Sequence, residues 1–381
     1  MPFNGERLNI ARVFRNMTVS ELAEKVGVTK QAISQYEKGQ SSPKPDTLFQ
    51  FVCILGFPKE FFMEEDNYKL NIENTFFRAL STTKNLDLKT QEVKTEMIAR
   101  LYNFLGNYLN FPELDIPEID VEKFEDIENV AAYLRSYWRH GETPIENMVS
   151  LIEKKGIVVS SFTIENRKID AFTQIHEIGK NKQYCVVLGN DKQSIVRRNF
   201  DAAHELGHIV LHNKLTKVEE LSREEFKQIE DEANNFAAAF LLPKNSFFLD
   251  LRDANNLDAY LKLKKKWKVS IAAMIMRAKH LGRINNNQYQ YLMKQMSARK
   301  WRISEPFDDI WELQRPVLFK KSIQVLKENN VLTGTQFLIE LSKNKLSLDA
   351  NTVETLLDLD EGTLIERNDK EKPALVLSLK I

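Results

Sequence analysis

The segment His204-Glu205-Leu206-Gly207-His208 has the clearest capacity for chemistry in this chain. Two histidines four apart on a helix lie on one face, so both imidazoles can grip a single metal ion. The glutamate beside the first histidine then lies within reach of a water on that metal, which points to a zinc hydrolase with Glu205 as general base. The same pattern arises by chance in helices that carry two solvated histidines. Three features weigh against that reading. The chain has only six histidines, and three of them fall between 204 and 212. The flanking Ala202, Ala203, Leu206, Ile209, Val210 and Leu211 are apolar, so the helix is buried and its histidines need partners. Gly207 stands inside the helix, where glycine costs ~1 kcal/mol relative to alanine, so another element is expected to approach closely there.

A catalytic zinc site commonly has three protein ligands and one open position. A third histidine in the extended H-E-x-x-H-x-x-G-x-x-H arrangement is absent, because Leu211 and Lys214 occupy the places of its glycine and last histidine. An acid on a second helix is therefore expected. Residues 229–242 read as that helix, ended by Pro243, with Ala233, Phe236, Ala237, Phe240 and Leu241 as its apolar face. At 100° per residue, Glu230 lies about 50° from the centre of that face and Glu232 about 110° away. Glu230 is the expected ligand and Glu232 the runner-up; the alternative for both is a solvated helix start favoured by the dipole. Asn234, one turn beyond Glu230, suits a hydrogen bond that orients a ligand. His212 suits either a place behind the metal ligands or an ordinary helix C-terminus. His140, His176 and His280 receive no role.

Positioning this helix requires a sheet. Three β-branched runs precede it, Ile157–Phe162, Ile169–Ile175 and Tyr184–Leu188, each of strand length. Ser194 is the expected cap of the metal-bearing helix. A sheet edge beside such a helix can accept a peptide as an added strand. The fold class expected is mainly α with a small β-sheet (α+β). A helical helix-turn-helix domain spans 1–66, a helical connector 67–125, a zincin-like domain 126–300 and a C-terminal helical region 301–381.

In the first 66 residues, Thr18 and Glu21 form a capping box, and Gly27 suits the left-handed position after a short helix. Thr29 caps a second short helix, Lys30 to Lys38, stopped by Gly39. Two such helices make a helix-turn-helix. Thr29, Lys30, Gln31, Ser34, Gln35 and Lys38 are its candidate contacts with operator DNA: Gln suits adenine, and Lys and Ser suit guanine or phosphate. The alternative is a small bundle with a polar surface, since residues 1–60 carry only eight Lys/Arg against six Asp/Glu. The pattern of Arg7-Leu8, Ala11-Arg12, Met17-Thr18, Glu21-Leu22-Ala23, Gly27-Val28, Ile33-Ser34, Glu37-Lys38-Gly39, Pro43 and Pro45 resembles the phage-repressor (Xre) type of helix-turn-helix. Members of that family commonly bind operators as dimers, so the resemblance implies double-stranded operator DNA and a homodimer.

Composition bounds the rest. With 381 residues there is room for two or three domains. Net charge is zero, so DNA binding must come from a local face. Cys53 and Cys185 lie far apart, which argues against a disulfide framework and fits a cytoplasmic location. No run approaches the ~20 apolar residues that span a bilayer, and the first residues lack a signal-peptide core.

A second resemblance is more specific. Arg197 with Phe200, Ala203-His204-Glu205-Leu206-Gly207-His208, His212, Glu230-x-x-x-Asn234-x-Phe236-Ala237-Ala238 and Leu241-Leu242-Pro243 resemble the ImmA/IrrE family of zinc metallopeptidases. So do Pro144-Ile145 and Gly156-Ile157-Val158 upstream, with Trp267-Lys268-Val269-Ser270 and Arg277-Ala278 downstream. The similarity spans roughly residues 130 to 310. It implies one Zn2+ per chain on His204, His208 and Glu230, with Glu205 as base. It also implies a protein substrate, a repressor of a mobile element or stress regulon, whose cleavage de-represses genes. Two other readings stand beside it: a peptidase-like domain used as a non-cleaving sensor, and a toxin-like peptidase of a toxin–antitoxin pair. Nothing in 301–381 names a ligand.

Overall fold

The computed structural model describes residues 2–65, 71–77, 85–164, 170–178, 181–190, 194–213, 215 and 218–365. The expected junction at 66–67 and Ile169 lie outside them. The described residues are mainly helical with one four-stranded sheet, the α+β class expected. They form two compact units, one from Met1–Tyr68 with Phe319–Ile381 and one from Lys69–Leu318.

The first unit begins with four helices, α1 (Gly5–Phe14), α2 (Val19–Val26), α3 (Lys30–Glu37) and α4 (Pro45–Leu55), and a 3-10 turn, Lys59–Met63. Its local chemistry follows the sequence. Thr18 and Glu21 make the reciprocal capping box of α2, and Gly27 takes φ +75° at its end. The Thr29 hydroxyl caps α3 by accepting from the Ala32 N–H. Leu8, Leu22, Ile33, Phe51, Leu55, Phe61 and Phe62 make the core.

The second unit holds, in order, β1 (Asn71–Phe77), α5 (Asn85–Leu105), α6 (Ile127–Tyr137), α7 (Met148–Lys154), β2 (Val158–Phe162), β3 (Ala171–Ile178) and β4 (Asn181–Gly189). It continues through α8 (Ile195–Leu211), α9 (Arg223–Leu241), α10 (Lys244–Asp250), α11 (Leu257–Trp267), α12 (Ile271–His280) and α13 (Asn286–Ala298). The last helices, α14 (Leu318–Glu328), α15 (Gly334–Lys343) and α16 (Ala350–Leu356), close on the first unit. The stretch 301–381, read from sequence as one region, is thus divided near residue 318. The attachment is polar as well as apolar: Glu64 accepts from the Ser347 N–H and hydroxyl, Arg7 pairs with Glu64 at 3.4 Å, and Arg15 donates to Thr352.

The sheet order is β1-β3-β4-β2. β3 and β4 are antiparallel, β4 and β2 parallel, and β1 lies antiparallel on the outer edge of β3. β1 is not anticipated by the sequence reading; Asn71, Glu73 and Asn74 are poor strand formers and hide it. α8 packs on one face of the sheet and α5 on the other. Side chains alternate along β3. Thr173 reaches Glu205 on the α8 face, so Gln174 and His176 point to the α5 face.

There His176 is fully buried, neither ring nitrogen finds a hydrogen-bond partner, and burial lowers its pKa to about 4. The unfolded chain binds the proton near the ordinary pKa of ~6.5, so stability from this group is present above that pH and lost as pH falls toward 4. Denaturant unfolding between pH 7 and 4.5 should show wild type losing on the order of 2 kcal/mol more than His176→Gln. Parallel pH profiles for the two proteins would overturn this.

Candidate metal centre and nucleic-acid interface

α8 starts after Ser194, whose backbone is extended as a cap requires, although its side chain makes no capping bond. The helix then runs buried for most of its length, and His204, Glu205 and His208 are each 1% exposed. α9 lies alongside. It is longer than the sequence reading gave, because Ser222 and Glu225 form a capping box that starts it two turns earlier. The acids 230–232 are therefore inside the helix and are not its solvated first turn.

Gly207 is what lets the two helices close. A Cβ there would stand 3.2 Å from the Ala233 Cα, the Ala233 carbonyl oxygen and the Phe236 ring. Glu230, Ala233, Asn234 and Ala237 share one stripe of α9 at spacings of three and four, so the contact that uses Ala233 also turns Glu230 and Asn234 toward α8. Glu230 Oε1 lies 3.2 Å from His208 Nε2 and Glu230 Oε2 lies 3.5 Å from His204 Nε2. Ligand atoms of His204, His208 and Glu230 all fall within 4.8 Å of one another.

The surrounding contacts fit one set of tautomers. His204 Nδ1 stands 3.1 Å from Asn234 Oδ1; donating to that acceptor leaves its Nε2 as a bare lone pair. His212 Nε2 lies 2.9 Å from Glu232 Oε2, and His212 Nδ1 lies 3.1 Å from His208 Nδ1. A His212 that donates to the carboxylate must accept from His208, which again leaves Nε2 bare. The two Nε2 atoms are 3.1 Å apart. Glu230 Oε1 is buried beside them without a hydrogen-bond partner. Three lone-pair donors converging in a buried place repel one another unless a cation sits among them, so this group could hold a metal ion.

Glu205 faces the sheet, and its Oε2 accepts from the Thr173 hydroxyl at 2.7 Å. Phe76 of β1 lies with its ring stacked on the His208 imidazole, 5.0 Å between centroids. Thr173 and Phe76 went unnoticed in the sequence because both reach the site across the sheet, from 32 or more residues away. Glu232, the runner-up ligand, instead backs His212. His140, His176 and His280 stand outside the group of three among the described residues.

In the first unit, Thr29, Lys30, Gln31 and Lys38 are exposed, and Ser34 and Gln35 are half-buried along the same helix. Arg12 anchors α3 from behind, with its guanidinium 2.5 Å from Glu37 Oε1 and also donating to the Met17 carbonyl. The polar face of α3 is thereby fixed outward. Among the described residues no helix is long and apolar enough to cross a membrane.

Comparison with protein families finds the helix-turn-helix model at residues 10–62 and the IrrE N-terminal-like domain, of the M78 peptidase type, at residues 152–279. No curated protein matches the chain. His204, His208, Glu230 and both helices that carry them lie inside the second match, and the three described cap-and-turn features of α2 and α3 lie inside the first.

Two measurements follow from the geometry. Glu230→Ala should lower metal affinity far more than Glu232→Ala, which should cost about tenfold through the slackened His212 and His208 rings; chelator competition would read both, and the reverse ranking would overturn the assignment. Gly207→Ala should destabilise by about 1–2 kcal/mol although it removes a helix glycine, because α9 backbone stands in the way. A stability gain would mean that the two helices are not locked there.

Proposed function

We propose that this chain, a helix-turn-helix domain joined to an IrrE N-terminal-like domain, is a DNA-binding regulator that carries a zinc-dependent endopeptidase. Its substrate is a protein regulator, a repressor whose cleavage de-represses genes of a mobile element or a stress response, in the cytoplasm. The observation that supports this best is the convergence of two bare imidazole nitrogens and one carboxylate beside a glutamate held on a separate hydrogen bond. Two histidines and a glutamate form a donor set used for catalytic zinc, where a fourth position stays open.

In this reading His204, His208 and Glu230 hold the ion. A zinc ion there supplies Lewis acidity, which polarises a carbonyl and brings the pKa of water down to about 7. The protein's own groups do the rest. Glu205, next to His204 on α8 and turned to the sheet, takes the proton from the attacking water and passes it to the leaving amine. The Thr173 hydroxyl donates to Glu205 and so fixes the carboxylate's rotamer. Asn234 and the pair of Glu232 with His212 hold the two imidazoles in the tautomer that leaves Nε2 free.

The helix-turn-helix brings the peptidase to an operator. Lys30, Gln31, Ser34, Gln35 and Lys38 contact bases and phosphates, with Thr29 at the helix start. Neutral overall charge restricts this attraction to that face.

Glu205→Gln separates the two outputs. It should keep metal content and operator binding while target cleavage falls by about 1,000-fold or more and de-repression stops. Unchanged gene control in that variant would mean that cleavage is not the output. Gln31→Ala with Gln35→Ala should cost operator binding on the order of 2–5 kcal/mol while leaving zinc content alone; unchanged operator selectivity in a gel-shift titration would move base reading elsewhere.

A further inference from the structure

β1 differs in origin and composition from the three strands beside it. β2, β3 and β4 form a connected sheet by themselves, and all three lie within the matched domain at 152–279. β1 comes from residues 71–77, far upstream of that match. It pairs with the outer edge of β3, from Asn71 opposite Glu177 to Phe77 opposite Phe172, with a register irregularity between Ile72 and Asn74. Asn71, Glu73 and Asn74 occupy three of its seven positions, residue types depleted in strands.

Its location is specific. β3 is the strand that touches the general base, through Thr173. The residue directly opposite Thr173 on β1 is Phe76. The Phe76 ring is 1% exposed, stacks on the His208 imidazole with planes 17° apart, and lies 6.3 Å from the His212 ring. Next to it, the Thr75 hydroxyl accepts from Gln174 of β3. An extended segment is thus hydrogen-bonded antiparallel to the strand beside the metal group, with an aromatic side chain against one of the metal-facing imidazoles. A peptide that enters a sheet edge by strand addition is held in the same way, by main-chain pairing and pockets for alternate side chains.

We infer that the outer edge of β3 is the peptide-binding edge of the second unit, and that β1 is the chain's own occupant of it. The substrate class is then an extended peptide segment, unstructured before binding, that displaces β1 and sets an aromatic side chain where Phe76 stacks on His208. Access is competitive: the connector and the incoming strand cannot share one edge, because each β3 backbone group on that side pairs once. The inference deepens the peptidase reading and rests on it for the identification of substrate, but strand exchange itself needs no turnover.

The test uses full-length protein loaded with zinc and a fluorescein-labelled synthetic peptide of residues 69–80. In Phe76→Ser, β1 loses its aromatic anchor, so fluorescence anisotropy should show the peptide binding at least about tenfold more tightly than to wild type. The same peptide carrying Phe76→Ser should bind neither protein measurably. Hydrogen exchange of wild type gives a reading independent of the variant. β3 amides that pair with β1 should exchange through a local opening, faster than the β4 amides that pair with β2. If those β3 and β4 amides exchange together through global unfolding, or if the folded variant binds the peptide no better than wild type, β1 is an integral strand and the inference fails. Zinc content and target cleavage are measured on the same preparations. Peptide exchange without cleavage would leave the edge site standing and overturn the peptidase reading. Cleavage by wild type without peptide exchange would do the opposite.

Discussion

The two helices that carry the imidazoles and the carboxylate approach each other more closely than an ordinary side chain at the crossing would allow. In this chain that approach is made between Gly207 on α8 and Ala233 on α9, where a single added methyl group would press on backbone atoms. The placement of the α9 residues in the group follows from the contact. It selects which stripe of α9 faces α8, and that stripe carries Glu230 and Asn234. It also fixes how far Glu232 must reach, which is to His212 at the C-terminal end of α8. The helix cost of a glycine is small beside the three convergent donors it makes room for.

Around that contact the polar groups are arranged as two separate chains. One runs from Asn234 to His204, the other from Glu232 through His212 to His208. Each ends in a nitrogen without hydrogen, and each begins on α9. Glu205 belongs to neither; its partner Thr173 lies on the sheet. In the proposed reading, ligand orientation and base orientation rest on different elements, α9 for the first and β3 for the second.

Much of this was legible from residue types. The Thr18–Glu21 capping box, the glycine turns, the H-E-x-x-H face and the angular position of Glu230 all depend on neighbours within a few residues, and the sequence displays such relations directly. Gly207 announced a close approach by its cost alone. The same limit explains what was missed. β1 escapes a pattern search because its polar residues break the alternation, and only pairing with a strand about 100 residues away makes it extended. Thr173 looks like any strand threonine until α8 is laid across the sheet. The start of α9 was read too late because attention fell on its apolar face, which begins beyond the Ser222 cap. The division of the C-terminal region depends on packing between the two ends of the chain, which no local pattern encodes.

That last packing has a consequence for biosynthesis. The first unit is discontinuous: its opening four helices are made early, and α14 to α16 are made only after about 250 intervening residues. Glu64 is buried against Ser347, with burial pushing its carboxyl up and Ser347 and Arg7 countering. Until the ribosome has delivered Ser347, that carboxylate has no such burial and the helix-turn-helix half lacks its closing layer. The second unit is in effect an insertion whose chain can collapse on its own first. A messenger cut short within it yields a helix-turn-helix without α14 to α16, so the finished DNA-binding unit certifies that the whole peptidase-like unit has already been translated.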